Sequence, residues 1–97
     1  MQIANEILRQ LGGAGRLKAM INGKDYVGLP AGLQFGFMRA KNGINKVRIE
    51  LNANDLYDVQ FYKIRGADFK IMAEVKGLYF DMLAGAFWDH AGLALKL

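Results

Sequence analysis

Ninety-seven residues, 53% of them hydrophobic and 23% charged, provide for one domain spanning 1–97 and leave no room for a second core. The formal net charge of +4 and the pI of about 9.5 favour a polyanion or an acidic protein as partner. The chain has no Ser, Thr or Cys, which excludes disulfides, thiolate metal sites and the hydroxyl and thiol nucleophiles of most hydrolases and transferases.

In chain order, QIANEILRQLGG sets Ile3, Ile7, Leu8 and Leu11 at helical spacing, and Gly12-Gly13 stops the helix. The loop GGAGR that follows lacks the spacing of a phosphate cradle and reads as that stop. Asn22-Gly23 is a strong hairpin signal, so Arg16–Ile21 and Lys24–Leu29 are predicted as paired strands, ended by Pro30. From Leu33 onward four strands are predicted as a meander: Leu33–Ala40, Ile44–Leu51, Leu56–Arg65 and Asp68–Lys76.

The alternation within that meander separates two faces. Leu33, Phe35, Phe37, Val47, Ile49, Leu51, Tyr57, Val59, Phe61, Phe69, Ile71, Ala73 and Val75 are predicted to point inward. Gln34, Lys46, Arg48, Gln60, Tyr62, Lys70 and Met72 are predicted to point outward, with Lys63 and Arg65 beside the last turn. The tail, GLYFDMLAGAFWDHAGLALKL, returns to helical spacing with Phe80, Leu83, Ala84 and Phe87 as its apolar stripe, Trp88 at the margin of the core and Gly92 as the stop. The predicted fold class is α+β, in two layers. An antiparallel sheet, made of a β-hairpin and a four-strand meander, carries N- and C-terminal helices packed on one face.

Few side chains are candidates for chemistry. Asp89-His90 lacks a nucleophile, and adjacent helical residues diverge by about 100°. A single histidine builds no multi-histidine metal site, and Asp55 and Asp58 supply too few oxygens for calcium. The expectation is therefore a protein that is not an enzyme and uses no cofactor or metal. The other sheet face is the stronger candidate. Between Arg16 and Lys76 eleven Lys or Arg stand against six Asp or Glu. An open face with Lys46, Arg48 and Lys70, supported by Lys63 and Arg65, suits phosphates, and an exposed Tyr62 suits base stacking. Long polar side chains also simply solvate the outer face of many antiparallel sheets. The N-terminus has no signal-peptide pattern and no apolar run reaches membrane-spanning length, so a cytoplasmic location without membrane contact is expected.

The succession QLGG, a later LP, AKNGINKVRIELNANDLYDVQFYKIRG and a closing aromatic helix ending in GL resembles a group of small proteins of phage, prophage and gut-bacterial genomes. YDVQFYKIRG is the most specific part of the likeness. The resemblance implies mobile-element biology: transactions with nucleic acid, or inhibition of a host defence protein of the anti-CRISPR or anti-restriction kind. It transfers no site residues. A homo-oligomeric structural phage protein, such as a homodimer that buries the open face, is a further expectation.

Overall fold

The computed structural model describes residues 2–95. Helices α1 (Gln2–Gln10) and α2 (Ala14–Ile21) precede strands β1 (Lys24–Leu29), β2 (Gly32–Gly36), β3 (Lys46–Leu51), β4 (Tyr57–Arg65) and β5 (Asp68–Leu78). A C-terminal helical segment follows, in which a 3₁₀ turn (Phe80–Met82) leads into α3 (Leu83–Ala86) and a π turn (Phe87–Ala91). All strand pairings are antiparallel and the order is β1-β2-β3-β4-β5, so each strand lies beside its neighbour in sequence. The fold class is α+β, as predicted, with one strand fewer.

The missing strand is α2. Arg16–Ile21 is helical, and the predicted hairpin with Lys24–Leu29 does not form. AGRLKAMI is rich in good helix formers, and it buries Leu17 and Ile21, which are one turn apart. Asn22 takes the positive φ that a hairpin would have required, but it takes it as the helix C-cap, with φ 56° and ψ 42°. The Gly12-Gly13 stop is confirmed: Gly13 N–H donates to Leu8 O at 2.9 Å and Gly12 N–H to Arg9 O at 3.0 Å, the paired bonds of a Schellman ending. A second helix begins immediately afterwards, so the loop joins two helices rather than a helix and a strand. Pro30-Ala31 is then the tight connection of the β1–β2 hairpin. The strands predicted at Leu33–Ala40 and Ile44–Leu51 are shorter in the structure, and a 3₁₀ turn at Lys41–Gly43 lies between them.

Ile7 of α1, Leu11 just after it, Leu17 and Ile21 of α2, and Leu83, Phe87 and Ala91 of the C-terminal segment share one core with Leu33, Phe35, Val47, Ile49, Val59 and Phe61 of the sheet. Phe87 is at its centre. Its ring centroid lies 6.2 Å from Phe35, 6.1 Å from Phe37 and 5.4 Å from Phe61, and the last contact is edge-to-face. Phe80, predicted in the same stripe, is exposed, because the segment begins as a 3₁₀ turn and only settles onto the sheet at Leu83. Trp88 is also exposed, at 61%, rather than sealing the core margin. No polar or charged side chain is buried among the described residues.

One irregularity in β5 decides what the open face carries. Phe61 pairs with Ala73, but Tyr62 pairs with Ile71, so Met72 is an extra residue, a β-bulge. Met72 and Ala73 both pack towards the core. Beyond them the strand has changed parity. Phe69 and Ile71, predicted inward, pair with Ile64 and Tyr62 and stand on the open face, 65% and 48% exposed. Lys70, predicted outward, pairs with Lys63 on the helix side.

Candidate nucleic-acid interface

The pairing aligns the open face into rows that cross the strands. Glu50 of β3 and Asp58 of β4 pair in the row nearest the Asn52–Asp55 turn. The next row runs Gln34, Arg48, Gln60, Glu74. The third runs Lys24, Gly36, Lys46, Tyr62, Ile71. Ile64 and Phe69 form the last, where the β4–β5 hairpin extends past β3. One end of the sheet therefore carries acids, and the other carries lysines and apolar side chains. Because Gly36 has no side chain, the stems of Lys24 and Lys46 cross it: a Cβ placed there would lie 3.6 Å from Lys24 Cγ and 3.6 Å from Lys46 Cε.

Asn45 holds the projecting hairpin. Its side chain copies a strand residue, donating from Nδ2 to Ile64 O at 2.8 Å and accepting from Ile64 N–H at 2.9 Å. Lys63 and Lys70 face each other across the hairpin, Arg65 faces Asp68, and Lys63 lies against Gly43, whose φ of 75° opens the preceding turn. Lys63, Arg65, Asp68, Phe69 and Lys70 surround a shallow hollow of about 210 Å³.

The neighbouring cleft on the open face, about 330 Å³, is lined by Gln34, Arg48, Tyr62, Ile64, Phe69 and Ile71. Phe69 belongs to both hollows. In this cleft Arg48 donates from Nε at 3.2 Å and from Nη2 at 3.0 Å to Gln34 Oε1, and its guanidinium carbon lies 5.9 Å from the centroid of Tyr62. The Tyr62 hydroxyl donates to Gln60 Oε1, and Gln60 Nε2 donates to Glu74 Oε2 at 2.7 Å. Phe69 packs against Tyr62 with ring centroids 5.6 Å apart, tilted by 57°. Burial pushes the Tyr62 phenol above its ordinary pKa; Arg48 opposes the shift, and Glu50 and Glu74 add to it.

The sequence-predicted residues thus fall into two groups. Lys46, Arg48 and Tyr62 share the open face, while Lys63, Arg65 and Lys70 gather at the hairpin tip on its other side. The role given to Tyr62 is corrected. It is only 6% exposed, packed against Arg48 and Phe69, and its ring is too buried to stack a base. The exposed aromatic at this end is Phe69, which strict alternation assigns to the core. The only sequence signal for it was the unusual composition of ADFKIMAEVKG, where Met72 follows Ile71 without an intervening polar residue.

Among the described residues a single ion pair forms, between Arg9 and Glu6, so the cations around the cleft have no carboxylate partner within ion-pair distance. No group of three or more potential ligands able to hold a metal ion occurs among the described residues. No helix among them is long and apolar enough to cross a membrane. Compared with family models, curated proteins and solved structures, the chain matches none.

Proposed function

We propose that this protein is a small non-enzymatic accessory protein of a mobile element that binds single-stranded nucleic acid across the basic end of its sheet. The observation that carries the reading is the segregation of charge along the strands. Lys63, Arg65 and Lys70 share a hollow with the exposed Phe69 at the hairpin tip, and Lys46 and Lys24 extend along the open face from there, while Glu50 and Asp58 lie at the other end. Cations that follow a backbone beside an exposed ring are the elements of single-strand binding, in which a stacked base contributes about 1–3 kcal/mol. The resemblance to phage and prophage proteins agrees with such a role.

The test is fluorescence anisotropy with labelled single- and double-stranded oligonucleotides at two salt concentrations. The proposal expects preference for the single strand and affinity that drops as salt rises, because phosphate contacts release counterions. Joint reversal of Lys46 and Lys63 to Glu should weaken binding to every sequence alike. Absence of binding at low salt would sink the reading.

A second reading has its own observation. Tyr79, Phe80, Met82 and Trp88 form a separate group of exposed apolar side chains, interspersed with Asp81 and Asp89. Exposed aromatics of this kind are typical anchors of protein interfaces. They support an inhibitor that binds a host defence protein. That reading expects a stoichiometric complex lost in Trp88→Ala, with oligonucleotide affinity unchanged by the substitution. A self-associating structural protein would instead show a concentration-dependent mass in solution.

A further inference from the structure

We propose that the Arg48 cleft takes a guanine base, so that the protein prefers single strands containing guanine at the bound position. This inference rests on the nucleic-acid reading above and adds a base preference to it.

Among the described residues, Arg48 is the only cation on the open face held by side-chain hydrogen bonds. Two of its five N–H groups are committed to one oxygen of Gln34, and Tyr62 supports its plane. Tyr62 is in turn fixed through Gln60 to Glu74, so the guanidinium has a wired seat rather than a flexible stem. Its Nη1 edge, with the second hydrogen of Nη2, has no acceptor among the described residues. A fixed, planar pair of parallel donors matches two adjacent acceptor atoms.

Phosphate has two such acceptors, but the charges argue against it here. Glu50 follows Arg48 by two positions on the same face of β3 and Glu74 closes its row, so acids flank the guanidinium on the open face. Lys24 and Lys46 stand in the next row, which holds no acid, and are the better phosphate sites. What suits Arg48 is an uncharged ring edge with two acceptors, and O6 and N7 of guanine form the pair that arginine most often reads. The rest of the cleft supplies the ring's other needs. Phe69 is a free aromatic face, and Ile64 and Ile71 border it with apolar surface, so a large purine covers more of the cleft than a pyrimidine. The phosphates beside that base fall to Lys46 and Lys24, in the next row of the same face.

The experiment compares labelled fifteen-residue thymidine oligonucleotides whose central base is thymine, guanine, 7-deazaguanine, adenine or cytosine. Wild-type protein should bind the guanine oligonucleotide roughly tenfold more tightly than the all-thymine one. The advantage should vanish with 7-deazaguanine, which lacks the N7 acceptor, and in Arg48→Lys, which keeps the charge but not the fork. The salt dependence should be the same throughout. Equal binding of all five, a preference for cytosine, or a guanine preference that survives either change overturns the inference while leaving the nucleic-acid reading intact. No binding of any oligonucleotide at low salt overturns both. A thermal melt of Arg48→Lys that matches wild type shows that loss of preference is not loss of fold.

Discussion

The two ends of the sheet are built from the same strands and differ in almost everything they present. At the turn end, Asn52 closes the chain on itself: its Oδ1 accepts from the N–H groups of Asn54 at 2.8 Å and Leu56 at 3.2 Å, and its Nδ2 donates to Asp58 at 3.1 Å. Asp58 also accepts from Gly77 N–H at 3.0 Å, at the second irregularity of β5. Asp58 is thereby committed to ordering the turn and the adjoining strand. At the hairpin end, Asn45 does comparable work across strands, and the cations around it are left without carboxylate partners among the described residues. At one end Asp58 is engaged in local structure; at the other the cations carry no ion pair among the described residues. Charges engaged in turns are therefore to be set aside before a surface is read for a binding site.

A substitution under both ends provides the baseline. Phe87→Ala removes the ring that Phe35, Phe37 and Phe61 share, and should cost about 3–5 kcal/mol of stability. Urea unfolding reads this directly, and a loss below about 1 kcal/mol would place the centre of the core elsewhere.

Asn45→Ala attacks the basic end alone. It leaves the Ile64 N–H and C=O without their partners and should cost about 1–3 kcal/mol. Hydrogen exchange should quicken at the Ile64 amide while the Asn52–Asp58 turn stays protected. Uniform quickening would mean that the ends are not separable.

Phe69→Ala sharpens the comparison by separating function from stability. The ring is 65% exposed, so unfolding free energy should move by no more than about 0.5 kcal/mol. Single-strand affinity should fall by about 1–3 kcal/mol, the worth of one stacked base. Unchanged affinity in a well-folded variant would remove Phe69 from the interface.

Deleting Met72 tests the bulge itself. Without the extra residue Ala73 and Ile71 become neighbours, and the pairing of Tyr62 with Ile71 becomes regular. Phe69 and Ile71 should stay on the open face and oligonucleotide binding should persist, with about 1 kcal/mol of stability lost from the partly buried side chain. Loss of binding in a folded deletion variant would show that the bend, and not only the parity, shapes the cleft.

The smallest effect is with pH. Burial raises the phenol pKa of Tyr26 in the core and, as its main cause, of Tyr62 at the basic end. Both are therefore protonated to higher pH in the folded chain than in the unfolded one. Their contribution is complete below about pH 10 and declines as pH rises through the folded values. Melting temperatures between pH 9 and 11 should fall, and fall less in a Tyr26→Phe, Tyr62→Phe double variant. An equal fall in both would remove these phenols from the account.

Much of this was legible in the residues. Period-two alternation correctly gave the inward set through Leu33, Phe35, Val47, Ile49, Val59 and Phe61, since one buried face fixes the register. Gly12-Gly13 and Gly92 marked helix ends because those positions take positive φ, at 97°, 88° and 68°. Two signals misled. Asn22-Gly23 meets the same backbone requirement in a hairpin turn and at a helix C-cap, and only the packing of Leu17 and Ile21 chooses between them. Alternation carries little information about a bulge: the apolar run Ile71-Met72-Ala73 is its one trace here, and beyond it the inserted residue reverses the meaning of the pattern. The basic residues of the candidate site were therefore found, but their division between two faces was not, and Phe69 was missed. Tyr62 was placed on the correct face and given the wrong work, since its burial depends on the neighbours Arg48 and Phe69.

The central claim is that the basic, apolar-tipped end of the sheet is the binding surface. Amide and side-chain chemical-shift mapping, with the labelled protein titrated by an unstructured single-stranded oligonucleotide at low salt, tests it most directly. The account predicts shifts at Lys24, Lys46, Arg48, Lys63, Phe69, Lys70 and Ile71, and none across Asn52–Asp58. Shifts centred on Tyr79–Trp88, or an unchanged spectrum at saturating oligonucleotide, would contradict it.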